Sequence, residues 1–113
     1  MLKMNISKVK IVTTMPTENA EKIRNKLGEM GAGIIGNYTH CTISTECIGT
    51  FKGTDKSNPY IGKKNILEKV DEVKIETQCE VEKVKKVVKI LREIHPYEEP
   101  NIEIIPLLDE NEF

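Results

Sequence analysis

The sequence predicts an α+β domain of the ferredoxin-like type, βαββαβ in order, with an antiparallel sheet carrying both helices on one face. Three observations lead there. Apolar side chains recur at three-four spacing over residues 18–30 and again over 80–94, the mark of two helices. Runs rich in β-branched residues precede, separate and follow those helices. Glycine or proline closes each helix, so the elements are short and the chain turns back often.

The elements follow in order. Residues 8–15 (KVKIVTTM) form a first strand with Val9, Ile11 and Thr13 on one face and Val12 on the other. Pro16 ends it and Thr17 is placed to cap a helix whose first turn holds Glu18 and Glu21, where the helix dipole favours negative charge. Ala20, Ile23, Leu27 and Met30 make the apolar stripe of that helix, and Gly31-Ala32-Gly33 stops it. A second strand is expected over Ile34 to Thr45, with Tyr38, His40, Thr42 and Ser44 on one side and Cys41 and Ile43 on the other. The stretch from Cys47 to Asn65 holds Gly49, Gly53, Pro59 and Gly62 and reads as one long irregular loop. Val70 to Thr77 is the third strand. Glu80 to Ile94 is the second helix, with a stripe of Val81, Val84, Val88, Leu91 and Ile94, and with Lys83, Lys85, Lys86 and Lys89 as a solvated face. Asn101 to Leu107 is a last strand, placed at a sheet edge by Pro106, and residues 108–113 are an acidic tail.

Composition bounds the function. The chain has 113 residues, 38% apolar and 31% charged with no Trp, which fits one domain over 1–113 with a core of Ile, Val and Leu. The 17 basic and 18 acidic residues are mixed along the chain and nearly cancel, so no extended positive field is available for nucleic acid. No apolar run reaches the roughly 18 residues that span a bilayer, and Met1-Leu2-Lys3-Met4 lacks the apolar core of a leader peptide, so no membrane partner and a cytoplasmic location are expected. Cys41, Cys47 and Cys79 show no CxxC spacing and are expected as buried reduced thiols.

Function concentrates in His95-Pro96-Tyr97-Glu98-Glu99-Pro100. The two prolines fix their own φ and push His95 and Glu99 out of helical conformation, so a helix ends and a stiff polar corner begins. In the ferredoxin-like topology the second helix ends at the edge where strands two and three are joined, so the long loop is expected to meet this corner. Gly31 to Gly36 is expected at the opposite edge. The helices cover one sheet face only, yet Val12 and Ile105 place apolar side chains on the other, which predicts a homo-oligomer.

The segments Gly31 to Cys41 (GAGIIGNYTHC), Gly49-Thr50-Phe51, Asn58 to Gly62 (NPYIG), Val73 to Glu76 (VKIE) and His95 to Pro100 (HPYEEP) stand in one order along most of the chain. Together they resemble the inserted domain that bacterial members of the Nif-three-like family carry between two halves of a metal-binding protein. The resemblance implies a fold similar to the divalent-cation-tolerance protein CutA and to the PII signalling proteins, hence a trimer, and an insert standing alone. It does not bring the family's dinuclear metal site or the GTP cyclohydrolase activity written beside its name, because the metal ligands belong to the flanking halves. Cys47 also stands where the family pattern has Gly.

The candidate binding residues are His95, Tyr97, Glu98 and Glu99 at the corner, Phe51 and Tyr60 from the loop, and Asn37, Tyr38 and His40, which symmetry can bring from another subunit. His95, Glu98, Glu99 and His40 are the donors a divalent metal ion, the one cofactor suggested, would use. Against that stands a structural role, with His95 capping the helix and the carboxylates accepting backbone N–H bonds. Cys41 and His40 are neighbours on the expected strand, face opposite sides and make no nucleophile pair within one chain. Gly31-Ala32-Gly33 follows a helix instead of preceding one and is a helix stop, not a phosphate cradle. The leading expectation is a non-catalytic, PII/CutA-like oligomeric module that binds a small ligand or divalent cation and answers by ordering its loop. The alternatives are a purely structural oligomerisation or adaptor domain, and a metal-assisted hydrolase using His95 and His40 of adjacent subunits.

Overall fold

The computed structural model describes residues 5–113; the Met1 to Met4 stretch read above for its lack of a leader core lies outside the described residues. Strand β1 is Lys8–Pro16, helix α1 Ala20–Glu29, β2 Ile43–Lys52, β3 Leu67–Glu80, helix α2 Val81–Ile94 and β4 Ile102–Leu107. The strands form one four-stranded antiparallel sheet in the order β2-β3-β1-β4, the expected ferredoxin-like arrangement. Among the described residues no helix is long and apolar enough to cross a membrane.

Alternation along the strands divides the sheet faces. Val9, Ile11, Thr13 and Met15 of β1 pair with Cys79, Thr77, Ile75 and Val73 of β3. This face meets Ile23 and Leu27 of α1 and Val87 and Leu91 of α2 in one apolar cluster. Both helices therefore cover the same face. The stripe of α2 is centred one residue from the expected position, on Val87 instead of Val88, and Val81 at the helix start is exposed. Helix α1 is entered through a 3-10 turn at Thr17–Asn19, and no side chain caps either segment, so Thr17 does not play the expected role. Its other end is a Schellman motif: the Ala32 N–H donates to Leu27 O and the Gly31 N–H to Gly28 O, both at 3.1 Å, with Gly31 at φ 89°.

The second strand is the main correction. It begins at Ile43 and runs through Cys47, Gly49 and Phe51, so Tyr38 and His40 lie in the α1–β2 connection and the expected long loop shrinks to residues 53–66. Gly36 and Asn37 form a two-residue turn whose flanks, Ile35 and Tyr38, exchange both backbone bonds at 3.0 Å. Gly33, Gly36 and His40 all have positive φ, which no continuous strand tolerates. β3 is longer than expected at both ends, and from Leu67 to Asp71 it pairs with β2 alone, because β1 stops at Pro16 opposite Glu72. β4 is an edge strand, and Pro106 sits in it where a missing N–H costs little.

The face away from the helices carries Val12 from β1, Ile43 from β2 and Ile105 from β4. Val12 is buried among its neighbours, whereas Ile43 and Ile105 are 64% and 42% exposed.

Candidate functional site

Helix α2 ends at His95, whose ψ of 135° takes the chain out of the helix as Pro96 requires. The ring of His95 turns back over β1 and is buried, 6% exposed. Nε2 lies 2.8 Å from Thr14 O, and Nδ1 lies 3.1 Å from the backbone N–H of Tyr97. Since a carbonyl can only accept and an amide N–H can only donate, Nε2 carries the proton and Nδ1 accepts. Burial holds the imidazole below its ordinary pKa of 6.5, against the opposing pull of the Thr14 carbonyl and Glu72. Both ring nitrogens are thus spent on the backbone. The ring ties the corner to β1 instead of capping α2 with its charge.

That tie delivers Tyr97 to a partner the sequence did not suggest. Its hydroxyl donates to Glu72 Oε2 at 2.7 Å, and burial, then the Glu72 carboxylate, pushes the hydroxyl pKa above its ordinary 10.0. Glu72 is 7% exposed, opposite Cys47 and Pro16 on the sheet face away from the helices. Its Oε1 lies against Gly49 so closely that a Cβ there would overlap it. Gly49 is therefore a gap in β2 for a carboxylate, not the sign of a loop. Glu72 escapes a sequence reading because it is one of 18 acidic residues in a strand where charged and apolar residues alternate. The glycine two positions along the neighbouring strand is the signal that could have found it.

The 53–66 connection folds over the corner as expected. Phe51, Tyr60 and His95 surround the Tyr97 ring with centroids 6.2, 6.3 and 5.1 Å away. The Asn58 N–H donates to Glu98 Oε2, which latches the loop to the corner. Glu99 points outward to Arg92, 3.6 Å away. Between loop, corner and sheet lies a cavity of about 510 Å³ lined by Gly49, Phe51, Tyr60, Glu72, Tyr97 and Glu98, among others.

The other expected donors are elsewhere. His40 follows the end of α1, its ring packed against Gly28 and its Nδ1 3.0 Å from Thr39 Oγ1. Asn37 and Tyr38 project from the same connection, with Tyr38 75% exposed. This region joins the sheet where Gly33 N–H meets Gln78 O and Thr77 Oγ1 donates to Cys41 O, the end of β3 remote from Glu72. His40 and His95 thus sit at opposite ends of the subunit. Among the described residues no group of three or more His, Cys, Asp and Glu is placed to hold a metal ion, and His95 has no free nitrogen to offer one. Of the three cysteines, all free, only Cys79 is buried, and burial raises its thiol pKa; Cys41 and Cys47 are half-buried.

No model of a known protein family matches the chain. The GTP cyclohydrolase 1 type 2 homolog of Halalkalibacterium halodurans is 44% identical over 103 residues, which are 91% of this chain and 28% of that protein. The chain spans little more than a quarter of the length of such relatives. A solved Bacillus cereus protein related to NIF3 superposes with a TM-score of 0.78 at 38% identity, over 95% of this chain and 27% of that one. The divalent ion tolerance protein CutA1 of Ehrlichia chaffeensis superposes with a TM-score of 0.69 at 19% identity, over 94% of this chain and 86% of its own. In sequence and in fold, the chain matches the CutA-like segment of the Nif-three-like proteins.

Proposed function

We propose that this domain is a non-catalytic binding module in which a small ligand enters the cavity beneath the 53–66 loop and orders that loop against the His95–Pro100 corner. The observation that carries the reading is the latch: loop and corner are joined by the Asn58–Glu98 hydrogen bond and by Tyr60 against Tyr97, over a cavity of about 510 Å³. His95 and Pro96 set the corner, Tyr97 and Glu72 form the floor, and Phe51 and Tyr60 form the walls. Loop ordering gives such a site a means of signalling to a partner. The fold shared with CutA and the location expected from the sequence, the cytoplasm, are compatible with a sensing or adaptor role.

A thermal-shift screen of nucleotides, divalent cations and small organic ions, read together with the tyrosine NMR signals, tests this. A ligand of the site raises the melting temperature and moves the Tyr60 and Tyr97 resonances, and Tyr97→Phe weakens it. Unchanged melting and unchanged tyrosine signals for every compound would sink the idea.

A second reading rests on the exposed Ile43 and Ile105. They share the face that no helix covers, and self-association through that face removes them from water. A homotrimer in which the Asn37–His40 connection of one copy approaches the His95 corner of the next would join both readings.

A further inference from the structure

Within the binding reading just given, on which this step rests, Glu72 discriminates between ligand classes. It is more than nine-tenths buried, and its Oε2 takes the Tyr97 hydroxyl while no side chain or backbone donor among the described residues reaches Oε1. No lysine or arginine pairs with it among the described residues. The carboxylate lines the cavity with one neutral donor and no cationic partner among the described residues, so a cation entering the cavity would meet an anion that nothing else neutralises.

The surroundings decide which cation. A bare divalent ion needs about six oxygen ligands at short range. Here Glu98 is turned to the Asn58 N–H and Glu99 to Arg92, and the rest of the wall is largely apolar. Phe51, Tyr60 and Tyr97 present rings on that wall instead, and aromatic faces attract weakly hydrated organic cations. Lys52 also borders the cavity, but alternation along β2 puts its side chain on the opposite face from Gly49 and Phe51. Of the carboxylates that line the cavity, Glu72 is the buried one.

We propose that the cavity binds a small organic cation, an alkylammonium or guanidinium group, with Glu72 as its anionic anchor and the rings of Phe51, Tyr60 and Tyr97 as its cage. Gly49 belongs to the same design, since any side chain there would displace the carboxylate.

The test is titration of the intact chain with tetramethylammonium, methylguanidinium, magnesium and a nucleoside triphosphate, followed by calorimetry and by the Tyr60 and Tyr97 NMR signals. The expected result is saturable movement of both signals by the two organic cations and none by magnesium. Glu72→Gln weakens that binding by about tenfold or more. Tyr60→Leu, a change at a half-exposed loop residue that spares the core, weakens tetramethylammonium binding by about threefold. If magnesium or the nucleotide moves the tyrosine signals and the organic cations do not, this inference falls and the binding reading stands. If no compound moves them, both fall. If Glu72→Gln instead splits an oligomer in light scattering while the organic cations remain inert, the free oxygen belongs to a contact between copies and the inference is overturned.

Discussion

His95 is a buried base whose two nitrogens join three segments, and its contribution can be read from pH. Burial depresses its folded pKa, so between that value and the unfolded value near 6.5 the unfolded chain binds more protons. The stability it supplies is therefore present above about pH 6.5 and lost as pH falls through the folded value. Denaturation midpoints on either side of that pH should differ, and by less in His95→Gln. His95→Ala, which also orphans Thr14 O and the Tyr97 N–H, should cost about 2–3 kcal/mol in urea unfolding at neutral pH. Gly49→Ala should cost about 1–3 kcal/mol and shift the Tyr97 NMR signal, because the added methyl evicts the Glu72 carboxylate. The corner was legible in the sequence because prolines constrain backbone wherever they occur. Glu72 was not, because its burial depends on a glycine in one strand and a tyrosine 25 residues further along the chain.

At the level of elements, the helices, the first and last strands and the order of elements were readable from periodicity, since each buries one face and the spacing of that face is local. The second strand was not. Its polar, β-branched composition suits loop and strand alike, and what places its start at Ile43 is a set of backbone conformations at Gly33, Gly36 and His40. The Gly36-Asn37 pair is a hairpin signal in its own right and is the residue-level trace of the correction. Gly33 packs so tightly against the Cys41 backbone that a Cβ would lie 2.6 Å from Cys41 O, and its φ is 80°. Gly33→Ala should accordingly lower stability by about 2–4 kcal/mol, measured by thermal or urea unfolding, and disturb Thr77 and Cys41 before anything near Tyr97. The loop latch is a separate unit: Glu98→Gln should speed hydrogen exchange over residues 53–66 and leave α2 unchanged.

For the whole molecule, the uneven covering of the two sheet faces sets the behaviour expected in solution. Ile43 and Ile105 stand on the uncovered face, and replacing both by Lys should reduce the mass found by light scattering without unfolding the chain. The fold class emerged from the sequence because it needs only element order. The second apolar face left a weaker trace, Val12 and Ile105, of which Val12 is buried among its neighbours and only Ile105, with Ile43, is exposed. The ribbon formed where β3 runs past β1 carries a different consequence. Only residues 72–76 of β3 are bonded to strands on both sides, while 67–71 lean on β2 alone. One continuous strand is thereby divided into a middle bonded on both sides and an end bonded on one, and the singly bonded end is the one that follows the 53–66 connection. The amides of residues 67–71 should accordingly exchange faster than those of 72–76 in hydrogen-exchange measurements.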